Sequence, residues 1–233
     1  MSRRWTTRIA FAMGFLLLMV SFGVAIVRSS MDASTEAAGA PAGSATQSRP
    51  STPASPNVLF SDNFQRDAVG ANPPIAWTEP DGRWSGVVRD ATEVVRHAHG
   101  PYGHLVTGSA AWTDYTVSAD VMPTPLSTGF AAVAGRYQGP GDYYQCDIHH
   151  AGSLQLWRLR RGVPTLLDSR SVTIDPTRFS NVRLVMTGNQ LSCLLNGVRQ
   201  LTATDGSLTH GQIALVAGDN DTAEFANVTV TSP

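Results

Sequence analysis

From residue 58 onward, apolar and polar residues alternate with a period of two, in short runs broken by Gly, Pro, Asp and Asn. That period places successive side chains on opposite faces, so it predicts strands rather than helices. The clearest runs are Tyr115–Val121, Phe130–Tyr137, Tyr143–His149, Leu154–Arg160, Val182–Thr187, Leu191–Leu195, Gln212–Ala217 and Phe225–Thr231. Between them stand turn formers such as Gly139-Pro140-Gly141-Asp142, Arg161-Gly162, Gly188-Asn189 and Asn196-Gly197. Asn-Gly suits a two-residue hairpin because both positions need positive φ. Many short antiparallel strands over residues 58–233 predict an all-β, two-sheet antiparallel sandwich or jelly roll.

One stretch breaks the period. Residues 9–27 carry no charge, and as a helix they span roughly 28 Å, about one hydrocarbon core. Arg3, Arg4 and Arg8 precede this run and Arg28 follows it. The asymmetry predicts a single transmembrane signal anchor, with residues 1–8 as a cytoplasmic tail and the rest outside. A cleaved signal peptide is the alternative, and it also exports the domain as a secreted protein. Residues 28–57 are rich in Ala, Ser, Thr, Pro and Gly. They have little to bury, which predicts a disordered linker.

Charge adds an exclusion. The formal net charge is -1 and only 15% of residues are charged. No basic stripe interleaves with aromatics, so no nucleic-acid partner is expected. Oligomeric state is not legible.

Alternation sorts the strand residues into two faces. Tyr144, Cys146 and Ile148 are expected to point into the sandwich, leaving Tyr143, Gln145, Asp147 and His149 on the opposite side. Leu154 and Leu156 point in, leaving Gln155 and Trp157 out. In the Phe130 run, Val133 and Tyr137 are expected inside, with Arg136 outside beside Ala132 and Ala134. One open face would then carry Arg136, Tyr143, Gln145, Asp147, His149, Gln155 and Trp157. Trp offers a stacking plane for a sugar ring, and Arg, Asp, Gln and His offer in-plane hydrogen bonds. A solvated face with a weak Arg136–Asp147 pair is the plain alternative. Cys146 and Cys193, the two cysteines, both read as inward. In an exported domain they are candidates for a disulfide, or else for two buried thiols.

The succession Trp112-Thr113-Asp114-Tyr115, Gly129-Phe130 to Arg136-Tyr137, Asp142-Tyr143-Tyr144, Leu154-Gln155-Leu156, Gly211-Gln212-Ile213-Ala214-Leu215 and Phe225–Val230 resembles the concanavalin A-like lectin/glucanase superfamily. It is closest to the laminin-G-like branch and to 3-keto-disaccharide hydrolase-like domains. The resemblance covers nearly all of residues 58–233. It implies a concave sheet that binds glycans, and often a structural calcium. Glucanases of this superfamily carry a tight acidic cluster on one strand, whereas here Glu79, Glu93 and Glu224 lie far apart. Retaining hydrolysis needs two carboxyl groups ~5–5.5 Å apart. The expectation is therefore a membrane-tethered lectin-like domain that binds a cell-envelope carbohydrate without catalysis, with no catalytic residues and no cofactor. A glycan-active hydrolase and a structural or protein-interaction module are the alternatives.

Metal signals are weak. Asp62, Asp219 and Asp221 are oxygen donors that suit calcium, although they read equally as turn residues. His149 and His150 are adjacent and point apart on a strand. His97, His99 and His104 read as loop histidines around the break at Gly100-Pro101.

Overall fold

The computed structural model describes residues 56–71, 73–98, 100, 102–123, 129–149, 151–218 and 222–233. The expected anchor at 9–27 and nearly all of the linker lie outside these residues, as do His99, His150, Asp219 and Asp221. Among the described residues, no helix is long and apolar enough to cross a membrane.

Fifteen strands form among the described residues: β1 (Val58–Asp62), β2 (Thr78–Asp81), β3 (Trp84–Arg89), β4 (Thr92–His97), β5 (Gly103–Thr107), β6 (Tyr115–Pro123), β7 (Phe130–Gly139), β8 (Asp142–His149), β9 (Ser153–Arg160), β10 (Val163–Ser171), β11 (Ser180–Thr187), β12 (Gln190–Leu195), β13 (Val198–Thr204), β14 (Gln212–Ala217) and β15 (Ala223–Thr231). They pair antiparallel into two sheets, as expected. The eight-stranded sheet runs β13-β12-β11-β6-β15-β4-β3, with β1 also on β15. The seven-stranded sheet runs β10-β9-β8-β7-β14-β5-β2.

Hairpin turns set the local register. Asn196 and Gly197 join β12 to β13 at φ 49° and 80°, and Arg161 and Gly162 join β9 to β10 at 53° and 75°. Two consecutive positive φ values are what a tight two-residue hairpin needs to follow the strand twist. β13 and β10, the return strands of these hairpins, were not among the runs singled out by alternation. β10 is largely exposed, so its pattern is weak.

The core fills the space between the sheets. Trp84, Val95, Leu105, Tyr115, Val117, Val133, Tyr144, Leu184, Leu215 and Phe225 are all buried in it. Cys146 on β8 and Cys193 on β12 form a disulfide with Cα atoms 5.7 Å apart. The bond therefore ties one sheet to the other across the core. The inward reading of both cysteines holds.

One expectation fails at β7. Arg136 has φ 49°, and the β7–β8 register slips between Gly135 and Gly139. This bulge shifts the alternation by one residue. Tyr137 consequently joins the outer face of the seven-stranded sheet, and Arg136 turns away from it into a sealed site. The Arg136 backbone N–H donates to the Tyr115 hydroxyl at 2.5 Å. Its guanidinium donates to Thr113 O at 2.9 Å, Leu208 O at 2.9 Å and Asp114 Oδ1 at 3.2 Å. A Cβ on the preceding Gly135 would meet the flexible end of the Met186 side chain, which would have to shift to admit it.

Candidate functional site

The outer face of the seven-stranded sheet is floored by small side chains. Ala132 and Ala134 on β7, Ala214 and Val216 on β14 and Val106 on β5 pack in one cluster with Tyr137 and Tyr143. Short side chains here leave room above the sheet, as alternation suggested. At one end the room becomes a cavity of about 270 Å³, lined by Tyr102, Phe130, Gln145, Asp147, His149, Trp157, Leu159, Gly162 and Pro164.

Register explains the grouping. Gln145 pairs with Trp157, Asp147 with Gln155 and His149 with Ser153 between β8 and β9. On the other side, Ala132 pairs with Asp147 and Phe130 with His149. Both ladders are unbroken here, so period-two alternation carries Gln145, Asp147, His149 and Trp157 to one face.

Each of these side chains has a defined neighbour. The Trp157 indole N–H donates to Gln155 Oε1 at 2.8 Å, and Gln155 Nε2 donates to Ser153 Oγ at 3.3 Å. Gln155 thus holds the indole plane from beside the cavity rather than lining it. Gln145 Nε2 donates to Asp147 Oδ2 at 2.9 Å. The other oxygen, Asp147 Oδ1, is buried with no hydrogen-bond partner among the described residues, and His149 Nε2 stands 3.4 Å away. Burial pushes the Asp147 carboxyl above the usual carboxylate range, although His149 and Gln145 pull it back. Tyr143, two residues before Gln145 on β8, is fully buried, and burial raises its phenol.

Gln145, Asp147, His149 and Trp157 therefore meet in one cavity, while Tyr143 and Gln155 stand outside its lining. Arg136 is not there, and the expected Arg136–Asp147 pair does not form. Sequence reasoning passed over Tyr102, Phe130 and Leu159. Parity was enough to place Phe130 with Ala132 and Leu159 with Trp157. Tyr102 carried no such signal, because it stands between Gly100-Pro101 and Gly103, outside any alternating run.

The histidines also differ from expectation. His97 ends β4 inside the fold, with its ring 5.0 Å from that of Trp84. His104 lies on β5, buried, against Asp81 and Tyr143. Neither is a loop residue. Asp62 caps the turn after β1, accepting from the Phe64 backbone and from the Trp77 indole at 2.9 Å each. Among the described residues, no group of three or more His, Cys, Asp or Glu side chains gathers as a metal site. Glu224 lies on the other sheet. Burial raises its carboxyl, but Arg89 and Arg96 outweigh that and hold it below its usual range.

The 3-keto-alpha-glucoside-1,2-lyase-like domain family matches residues 67–231. No curated protein matches the chain. The fold is similar to that of the carbohydrate-binding module CBM66 from Bacillus subtilis, at 19% identity and a TM-score of 0.60, over 67% of this chain and 96% of that one. It is similar to domain 4 of AbnA, an extracellular GH43 arabinanase from Geobacillus stearothermophilus solved with arabinotriose, at 12% identity and a TM-score of 0.54, over 76% and 93%. A Bacillus licheniformis beta-glucanase aligns at 13% identity and a TM-score of 0.56, over 76% and 98%. At these identities the likeness is one of fold.

Proposed function

Because the chain belongs to the 3-keto-alpha-glucoside-1,2-lyase-like family of carbohydrate-binding and glycan-active jelly-roll domains, we propose that it is a lectin-like domain gripping a sugar residue in the Trp157 cavity. The observation that carries this reading is the cavity itself. An oriented indole forms one wall, two further aromatic rings stand opposite, and amide, carboxyl and imidazole groups cluster between them. A sugar needs the same two things, an apolar plane for its C–H face and directional partners for its hydroxyls. The volume is below the ~300–1,000 Å³ of drug-sized sites, which favours one or two rings at a chain end. Among the described residues, Asp147 is the single carboxylate in the lining, which favours binding over paired-carboxylate hydrolysis.

The domain would be displayed outside the cytoplasm on the residue 9–27 anchor, with a cell-envelope glycan as its partner. The Cys146–Cys193 bridge supports an oxidising compartment. A polysaccharide and oligosaccharide binding panel, run with Trp157→Ala beside the parent, tests the site. Binding that survives unchanged in the variant would sink it.

A second reading rests on the Asp147–His149 contact at 3.4 Å. A carboxylate–imidazole pair is a base, and elimination from a 3-ketoglucoside begins with removal of the C2 proton. The C1–O bond then breaks, and the departing oxygen takes up a proton. Release of the aglycone from a 3-ketoglucoside, lost in Asp147→Asn and His149→Gln, would establish this reading. No release by the parent would discard it.

A further inference from the structure

A chain of hydrogen bonds crosses the outer face of the seven-stranded sheet and ends at the cavity. Asp81 on β2 accepts from the His104 backbone N–H at 2.6 Å. Its two oxygens also face His104 Nδ1 at 2.8 and 3.0 Å. His104 Nε2 lies 3.1 Å from the Tyr143 hydroxyl, which lies 3.1 Å from the Tyr102 hydroxyl. Tyr102 reaches Gln145 Oε1 at 3.4 Å, and Gln145 Nε2 donates to Asp147. Six side chains from β2, β5, β8 and the turn before β5 are thus linked, and the last three line the cavity.

Donor and acceptor rules assign the protons. A carboxylate only accepts, so His104 Nδ1 carries a proton. In neutral imidazole Nε2 is then an acceptor, and the Tyr143 O–H must donate to it. The Tyr143 oxygen has only lone pairs left for Tyr102, so the Tyr102 proton points toward Tyr143 and Gln145 Oε1. Protonation of His104 at Nε2 reverses this order. Nε2–H would donate to the Tyr143 oxygen, the Tyr143 proton would turn to Tyr102, and the Tyr102 proton would go to Gln145.

We infer that Asp81 and His104 are positioning residues for the cavity, and that through Tyr143 they set the direction of the Tyr143–Tyr102 hydrogen bond, and with it how fully the Tyr102 proton is given to Gln145 at the cavity wall. The groups around His104 are Asp81 from β2, Tyr102 from the preceding turn, Tyr137 from β7 at a ring distance of 5.5 Å and Tyr143 from β8 at 5.3 Å. Burial lowers the His104 pKa and Asp81 raises it, with burial prevailing. The neutral form is therefore the one present at neutral pH.

That Gln145 meets a sugar in this cavity rests on the lectin-like reading, whereas the proton order does not. Histidine nitrogen and tyrosine ring-carbon spectra of the ligand-free protein test it directly. His104 is expected as the Nδ1–H tautomer with an acceptor Nε2 at pH 7.5. As His104 titrates in acid, the Tyr102 Cζ resonance is expected to move with it. In Tyr143→Phe that response should be lost while His104 still titrates. An Nε2–H tautomer in the parent overturns the inference without any variant. So does a Tyr102 response that persists in Tyr143→Phe. Failure to bind any sugar would sink the lectin reading and leave the proton order standing.

Discussion

Arg136 and Asp147 are each only 1% exposed, on the neighbouring strands β7 and β8, yet the fold uses them in opposite ways. The guanidinium of Arg136 is surrounded by acceptors from Thr113, Leu208 and Asp114, all supplied by the protein. Asp147 has one oxygen bonded to Gln145, and the other is left beside His149 in the cavity. A buried charge whose partners are complete is a staple. A buried carboxyl with unused acceptor capacity, facing a cavity, is a site at a cost in stability. Burial alone does not separate them; the disposition of the remaining lone pairs does.

The sharpest way to break that contrast is Arg136→Met. It strips partners from the buried Leu208 carbonyl, from the Thr113 carbonyl and from Asp114, and is expected to cost about 3–5 kcal/mol in chemical denaturation. A loss under about 1 kcal/mol would show that Arg136 is no staple. Next comes the disulfide, since Cys146 lies between Gln145 and Asp147 and anchors the cavity floor to the other sheet. Replacing both cysteines by Ala should cost about 2–4 kcal/mol, given a 47-residue separation. Unfolding curves in the presence and absence of reductant would check this value.

Trp157→Ala should act at the other pole. Glycan affinity is expected to fall at least about tenfold, with stability changed by less than about 1 kcal/mol because the ring is only half-buried. A large loss of stability with intact binding would make Trp157 structural. The smallest effect, and the most telling sign, belongs to Asp147→Asn. Burial raises the Asp147 carboxyl above its ordinary 3.8, so the native state holds that proton more tightly than the unfolded chain. Its contribution is therefore most favourable below about pH 3.8 and turns unfavourable as pH rises above that value. At pH 7 the Asn variant should match or exceed the parent by about 0–1 kcal/mol, an advantage that vanishes near pH 4. Denaturation at both pH values would show it, and a variant clearly weaker than the parent at pH 7 would return Asp147 to the structural class.

Most of the site was legible where ladders are regular. On β8 and β9, unbroken pairing let parity place Gln145, Asp147, His149 and Trp157 correctly. The same rule failed on the adjacent strand β7, at Arg136 and Tyr137, because a bulge adds a residue without any apolar or polar mark to announce it. His104 was hidden for a different reason. Its partners Asp81 and Tyr143 are 23 and 39 positions away, and only the sheet order β8-β7-β14-β5-β2 folds them over one face.

The sequence by itself determined the class of the fold, the inward course of Cys146 and Cys193, and the polar row on β8. Each of these depends on side-chain period along a single strand, a local property of the backbone. Tertiary structure alone decided that Arg136 is sealed, that Tyr102 reaches the cavity, and that Asp81 and His104 stand behind it. Those outcomes depend on register slips and strand order, which arise when distant segments pair and which no single strand encodes.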